Sequence, residues 1–190
     1  MCIRDRYISA KSWVGGSVIS PDKDMKFPSL RRGKQRCDLS DKVIRIAATG
    51  FGVGFSRHAP GTLGTLLGVP VYFLFSSFPW FLYLISILAV SFFAVYVSQE
   101  AEKLFGRKDA PQIVIDEIAG FQFTMFLVTP TIAHVVTGFI LFRIFDIFKP
   151  FPVRLCERHL RGGYGVVGDD VVAGIYGNIV LLVLITYAGI

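Results

Sequence analysis

The three longest apolar stretches of the sequence contain no charged residue. They run from Trp80 to Val97, from Ile118 to Phe142 and from Val171 to Ile190. Each reaches or approaches the roughly 20 residues that a helix needs to cross a bilayer. Leu63 to Phe78 is a weaker fourth candidate, because Pro70 interrupts it. With a mean hydropathy of +0.55, the chain is too apolar for an ordinary soluble domain, and we predict an integral membrane protein.

Cysteine is scarce, and none of it has a spacing that binds metal. Cys2, Cys37 and Cys156 are far apart, and no Cys-x-x-Cys occurs, so the cysteine spacing favours neither a zinc site nor a disulfide framework. The net charge of +6 does not indicate a nucleic-acid partner, because the cations lie beside apolar segments and are not interleaved with base-stacking aromatics. Cations in that position are typical of topology signals and of contacts with anionic lipids.

Several common catalytic motifs are also missing. No Gly-Lys-Ser/Thr completes a phosphate-binding loop, no His-Glu-x-x-His occurs, and no Gly-x-Ser-x-Gly elbow occurs. His134 lies within an apolar run and is expected to be packed or to face a pore. Cys156 has no evident base partner. A covalent serine or cysteine mechanism therefore has little support.

The chain divides into a polar tail and a membrane domain. Residues 1–42 are basic and contain no apolar core of a signal peptide, so we expect them to be largely disordered or to lie on the membrane surface. Met25 is an alternative start site, which the intact mass of the native protein would test. Residues 43–190 form the predicted membrane domain.

Charge asymmetry predicts the topology of that domain. Basic residues occur in the tail, in the connection 99–112 and in the loop 149–168, whereas the turns at 76–80 and 129–131 have none. By the positive-inside rule, the three basic segments are cytoplasmic. We therefore predict an all-α, polytopic membrane helical bundle of about four or five membrane helices, with an acidic site that faces the cytoplasm.

The stretch Phe142–Pro150 places three charges at the end of an apolar run. Arg143, Asp146 and Lys149 recur every third residue, so on a helix they share one broad face. A charge at membrane depth costs at least about 2.5 kcal/mol, so it needs a partner or a wet cavity. The predicted topology moves these three side chains to the cytoplasmic boundary.

Two further acidic pairs fall at the same boundary, Asp116-Glu117 and Asp169-Asp170. Carboxylates gathered in one place repel each other unless a cation lies among them, and Mg²⁺ prefers carboxylate oxygens with phosphate as a further ligand. Arginine and lysine are natural partners for that phosphate. This combination indicates phosphoryl chemistry on a lipid head group. The candidate metal ligands, any of which could contact the ion directly, are Asp116, Glu117, Asp146, Asp169 and Asp170.

Each motif also has a purely structural interpretation. Asp169 could cap the last helix, Asp116 or Glu117 could complement a helix dipole, and Arg143 and Asp146 could simply pair with each other. Three acidic motifs at one membrane face are explained more economically by one site. We assign catalytic roles to these five carboxylates and to Lys149, and phosphate binding to Arg143.

A glycine-rich segment, 43–65, admits two interpretations. Its glycines could allow helices to pack closely. Alternatively, its backbone around Gly61 and the hydroxyls of Thr62 and Thr65 could approach the phosphate of the substrate.

Taken together and in this order, the motifs resemble the phosphatidylglycerophosphatase A family from about Thr49 to the last helix. They are Gly50-Phe51-Gly52-x-Gly54, Ala59-Pro60-Gly61-Thr62-x-Gly64-Thr65, Asp116-Glu117, Phe142-Arg143-x-x-Asp146-x-x-Lys149-Pro150, Gly162-Gly163, Gly165 and Asp169-Asp170-x-x-Ala173-Gly174. The resemblance implies a bacterial inner-membrane enzyme that removes the terminal phosphate of the phospholipid phosphatidylglycerophosphate with Mg²⁺. The tail before Lys42 is longer than the family's usual N-terminus.

The sequence disfavours three other classes of membrane protein. The histidine motifs of PAP2-type lipid phosphatases and the Asp-Gly-x2-Ala-Arg core of CDP-alcohol phosphatidyltransferases are absent. A transporter would explain intramembrane charges, but it would place them at mid-bilayer depth. A lipid phosphatase of broader specificity remains an alternative.

Overall fold

The computed structural model describes residues 39–149 and 162–189, and within them the secondary structure is helical without strands. A 3-10 turn, Val53–Phe55, separates the first two of six α-helices. These are α1 (Leu39–Ala48), α2 (Pro60–Ser76), α3 (Trp80–Phe105), α4 (Ile115–Thr124), α5 (Ile132–Phe148) and α6 (Gly163–Ala188).

Two of the described helices, α3 and α6, are long and apolar enough to cross a membrane. They do not resemble the core helices of a soluble protein, because large apolar side chains along them are exposed. Phe92 of α3 is 69% exposed, and Tyr187 of α6 is 86% exposed. Such continuous apolar exposure requires a cover other than water.

The predicted turns are confirmed, since α2 ends at Ser76 and α3 begins at Trp80, while Thr131 precedes α5. Thr131 Oγ1 accepts the N–H of His134 at 3.2 Å and so caps α5. The α5 helix ends at Phe148, where Lys149 adopts a left-handed φ of 42°. Pro150, whose ring is incompatible with a helix interior, lies outside the described residues.

The start of the last helix was predicted wrongly. The sequence indicated a loop to residue 168 and a helix from Val171, whereas α6 begins at Gly163. The packing of Gly163 explains the difference, because a Cβ there would overlap the carbonyl of Val95 in α3. Tertiary contact thus supports helix where the local glycine content favours loop. Residues 150–161 of the predicted loop lie outside the described residues.

The short helix α4 is the centre of the bundle. It packs against α6, α2, α3 and α5, and most of its ten residues are buried. Its crossing with α6 is very close, because a Cβ on Gly120 would lie 2.7 Å from the carbonyl oxygen of Asp170, and one on Gly174 would overlap the carbonyl of Gly120. Small residues allow this approach.

That crossing positions two carboxylates. Asp116 precedes Gly120 by one helical turn, and Asp170 precedes Gly174 by one turn. Residues four apart share a helix face, so the two aspartates lie beside the point at which the helices meet.

Candidate active site

One cavity of about 240 Å³ collects charged side chains from three helices, α4, α5 and α6. The N-terminus of α2, the first turn of α4, the C-terminal half of α5 and the N-terminal third of α6 all contribute to it. Its lining includes Gly61, Asp109, Asp116, Glu117, Arg143, Asp146, Lys149, Asp169 and Asp170. The three acidic motifs of the sequence therefore meet in one place.

Three carboxylates form a compact cluster within the cavity. One oxygen from each of Asp116, Glu117 and Asp170 lies within 4.8 Å of the others. Asp116 is 7% exposed and Asp170 is 4% exposed. Asp116 Oδ1, Glu117 Oε2 and Asp170 Oδ2 are buried without a hydrogen-bond partner. Buried carboxylate oxygens without donors are costly, so this cluster fits a bound cation.

Burial also changes the protonation of the cluster. Burial, reinforced by the neighbouring charge of Glu117, raises the pKa of Asp116 well above its usual range. Burial likewise raises the pKa of Glu117 to about 8, and the charges of Asp170 and Asp146 act in the same direction. Either a proton or a metal cation relieves the same electrostatic cost.

The two other carboxylates of the cavity pair with cations. Arg143 Nη1 donates to Asp146 Oδ2 at 2.6 Å, and Lys149 Nζ donates to Asp169 Oδ2 at 2.5 Å. The side chains of both pairs are largely buried. Arg143 Nε is buried without a hydrogen-bond partner. The structure thus separates the five predicted metal ligands into a cluster of three and two partners of basic groups.

The residues predicted to bind substrate occupy different positions. Gly61 lines the cavity, and a Cβ there would overlap Glu117 Oε1 and lie 3.1 Å from Arg143 Nη2. Thr65 is fully buried behind it, where its hydroxyl donates to Gly61 O at 2.9 Å and accepts from Arg143 Nη1 at 3.5 Å. Thr62 is half-buried and is not among the lining residues.

The close-packing interpretation of the glycine-rich segment is confirmed at Gly64, and Gly68, which follows the segment, acts in the same way. A Cβ on Gly64 would lie 2.7 Å from Val114 Cβ, and one on Gly68 would lie 3.0 Å from Phe121 Cδ1. These two glycines let α2 pack against α4 and the residues before it, whereas Gly61 keeps the cavity open.

Comparison with known proteins assigns the family. The family model described as Phosphatidylglycerophosphatase A matches residues 46–185, which is most of the chain. The chain belongs to the phosphatidylglycerophosphatase A family. The proteins named Phosphatidylglycerophosphatase A of Escherichia coli K12 and of Haemophilus influenzae are 39% and 35% identical to it. These matches cover 75% and 74% of this chain, and 83% and 88% of the relatives.

A third relative carries a different name. A Bacteroides thetaiotaomicron protein, provisionally named a phosphatidylinositol-3-phosphatase, is 37% identical over 73% of this chain and 91% of its own length. No solved structure matches the chain significantly.

The structure excludes one of the purely structural interpretations in this member of the phosphatidylglycerophosphatase A family. Asp169 does not cap the last helix, because the N-cap is Gly162 and Asp169 lies two turns inside α6. Asp116 and Glu117 do lie in the first turn of α4, and Arg143 does pair with Asp146. These two features coexist with the shared cavity.

Sequence reasoning missed Asp109. This residue lines the cavity, although it belongs to the connection between α3 and α4. Its backbone is left-handed, with φ of 49°, and its N–H donates to Glu102 Oε1 at 2.7 Å. The only signal in the sequence was its place in a segment predicted at the same boundary as the other carboxylates.

Proposed function

We propose that this protein hydrolyses the terminal phosphomonoester of phosphatidylglycerophosphate, giving phosphatidylglycerol and phosphate in phospholipid biosynthesis. The observation that carries the proposal is the cavity in which three carboxylates lie beside two basic side chains. Family membership and the names of the Escherichia coli and Haemophilus influenzae relatives support the identity of the substrate.

The carboxylate cluster fits Mg²⁺. Asp116, Glu117 and Asp170 would hold the ion, since each has a buried oxygen without a donor. Bound there, the ion supplies charge neutralisation for the phosphate and a lower pKa for the attacking water. Asp146 and Asp169 belong to the predicted ligand set as well, but their pairing with Arg143 and Lys149 favours a role in positioning those two basic groups.

Arg143 and Lys149 bind the phosphate group in this proposal. The guanidinium offers a planar set of donors that fits phosphate oxygens, and the ammonium acts as a point charge. Asp146 and Asp169 hold these two groups in the cavity, each through a direct hydrogen bond. Fixed donors of this kind stabilise the charge that develops on the transferred phosphoryl group.

The bond changes follow from the products. The oxygen of water bonds to phosphorus, the bond between phosphorus and the glycerol oxygen breaks, and that oxygen takes up a proton. Direct attack by water is our first mechanism, and attack by an aspartate that forms an acyl-phosphate is the second. Acid quench during turnover of substrate labelled with ³²P in its terminal phosphate distinguishes them, because protein-bound label that hydroxylamine releases would show an acyl-phosphate and reject direct attack.

We place the enzyme in the bacterial inner membrane as a multi-pass protein. The helices α2 and α5 have 17 residues each, which corresponds to about 26 Å and approaches the thickness of the hydrocarbon core. Together with α3 and α6 they give four membrane helices, and α4, with ten residues, covers about half of that distance. The positive-inside rule places the cavity at the cytoplasmic side.

A lipid phosphatase of broader specificity is the second candidate, and the name of the Bacteroides relative favours it. The comparison that decides between them is phosphate release from three lipids in mixed vesicles: phosphatidylglycerophosphate, phosphatidic acid and phosphatidylinositol 3-phosphate. We expect rapid release from the first alone, with Mg²⁺, and none with a chelator. Equal rates on all three would favour the broader enzyme.

A matched control separates this activity from a contaminant. Asp170→Asn should be prepared in parallel, and the two proteins should elute identically from gel filtration. If the variant released phosphate as fast as the native protein, or if the native protein released none from any lipid, the proposed function would be wrong.

A further inference from the structure

The helix α1 has an apolar side that no described part of the protein covers. Leu39, Val43 and Ile46 recur at spacings of four and three, so they lie on one side of the helix. They are 74%, 57% and 50% exposed. A different side of the helix, with Ile44 and Ala48, packs against the core of the bundle.

The turn after α1 extends the exposed apolar side. The N–H of Gly50 donates to Ala47 O and the N–H of Phe51 donates to Ile46 O, which is the hydrogen-bond pattern of a Schellman cap. Phe51 follows the cap in a left-handed conformation, with φ of 58°, and is 89% exposed. A bulky residue rarely adopts this conformation, and here it presents an aromatic ring at the surface.

Charged side chains occupy the third side of α1. Lys42 and Arg45 are exposed there, beside Asp41. The guanidinium of Arg45 lies 5.7 Å from the centre of the Phe105 ring, which holds it near the end of α3. In the sequence, the basic segment 31–36 precedes the helix closely.

The position of α1 relates this surface to the bilayer. Ala48 packs in one cluster with Ala101, near the C-terminal end of α3, and with Ala110, which lines the active-site cavity. The N–H of Val114 donates to Ala48 O at 2.9 Å. The helix is therefore fixed at the cavity end of a helix long enough to cross a membrane.

We infer that α1 is an interfacial membrane helix whose occupant is an anionic bilayer surface. The patch formed by Leu39, Val43, Ile46 and Phe51 enters the boundary between head groups and acyl chains, about 5–10 Å deep. Lys42 and Arg45 contact lipid phosphates at its border.

Charge favours a lipid surface over a second copy of the chain. The apolar patch is bordered by exposed cations, and two patches placed face to face would bring like charges together. An anionic head-group layer complements those same cations.

Most of α1 precedes residues 46–185, which is the part of the chain that the family model matches. The inference concerns membrane contact and stands whether or not phosphatidylglycerophosphate is the substrate.

The test uses an environment-sensitive fluorophore on single cysteines. In a full-length chain with Cys2, Cys37 and Cys156 replaced by serine, Val43→Cys probes the apolar side and Asp41→Cys is the matched control on the polar side. Both labelled proteins are reconstituted into vesicles of phosphatidylcholine with phosphatidylserine. Quenching by aqueous iodide and by a nitroxide near the lipid head group is then measured.

We expect the label at position 43 to show a blue-shifted emission, strong nitroxide quenching and loss of iodide quenching relative to position 41. Replacing phosphatidylserine with phosphatidylcholine should reduce the blue shift. Equal iodide quenching at both positions would overturn the inference. Protection from both quenchers would also overturn it, and disulfide cross-linking between Val43→Cys chains would then identify a contact between copies.

Discussion

The two ends of the bundle differ in their buried polar groups, since most of the side-chain atoms that are buried without a hydrogen-bond partner in the described residues lie at the cavity. At the end away from the cavity, the hydroxyl of Tyr72 donates to Val128 O at 2.8 Å. Asn178 Nδ2 donates to Thr124 O at 2.9 Å and to Phe126 O at 2.7 Å, and so satisfies carbonyls where α4 ends. In the proposed topology this non-helical backbone is buried at membrane depth, where water cannot replace those donors.

At the cavity end, carboxylate oxygens remain without donors. Three oxygens there are buried without a hydrogen-bond partner: Asp116 Oδ1, Asp169 Oδ1 and Asp170 Oδ2. Satisfied polar groups stabilise a fold, whereas unsatisfied ones destabilise it and are retained where a ligand completes them. One end of the bundle is therefore built for stability and the other for binding.

The largest effect is expected from Asp170→Asn. The change removes a carboxylate of the cluster of three, so the rate of phosphate release should fall by about 10³-fold or more. Because it also removes a buried like charge, the apparent melting temperature without divalent cation should rise. A thermal shift assay beside the phosphate assay checks both. A fall in stability together with unchanged activity would contradict the interpretation that the cavity end of the bundle is built for binding.

Arg143→Lys should have the next largest effect. The lysine keeps the charge but loses the planar set of donors, so kcat/KM should fall by about 10- to 100-fold. Initial rates over a series of substrate fractions in mixed vesicles measure it. Normal kinetics in this variant would show that the guanidinium geometry has no part in binding phosphate.

The variant Gly61→Ala should lower kcat about tenfold, because its added methyl group displaces Glu117 and the Arg143 guanidinium from their positions. Gly68→Ala is the matched control on the same helix, since its new Cβ would meet Phe121 and not the cavity. We expect the control to lower the melting temperature and to leave kcat unchanged. Equal losses of kcat in both variants would mean that the effect is general.

Asn178→Ala tests the opposite end. Loss of two hydrogen bonds to the end of α4 should destabilise the fold by about 1–3 kcal/mol. The kcat of the folded protein should remain close to native. Chemical unfolding in detergent, with activity measured before denaturation, gives both values. A large loss of kcat without loss of stability would contradict the division of the molecule.

The smallest effect is a trend of stability with pH. Burial raises the pKa of Asp116 and the pKa of Glu117 above their unfolded values. Between about pH 4.5 and pH 8 the folded protein therefore binds more protons than the unfolded chain, so stability falls as pH rises. Melting temperatures across this range in chelator should show the decline, and Mg²⁺ should reduce it. A rise with pH would contradict the burial of this pair.

Much of the architecture could be predicted because its signals are local. Hydropathy located α3 and α6, and the uncharged turns separated the helices, because apolar length and charge depend only on neighbouring residues. The start of α6 could not be predicted in the same way. Gly162 and Gly163 favour loop locally, and only the contact of Gly163 with Val95 O shows why the helix begins as early as Gly163.

The sequence by itself determined the chemical inventory of the site, which consists of basic and acidic side chains at the ends of apolar runs. Charges near membrane depth need a partner or a wet cavity, so such side chains are expected to lie together. Only the tertiary structure divided that inventory. The close approach of Gly120 to Gly174 brings Asp116 beside Asp170, while Asp146 and Asp169 turn to basic partners. Spacing along one helix determines the face of that helix on which a side chain lies. The crossing of two helices determines which side chains of the neighbouring helix it contacts.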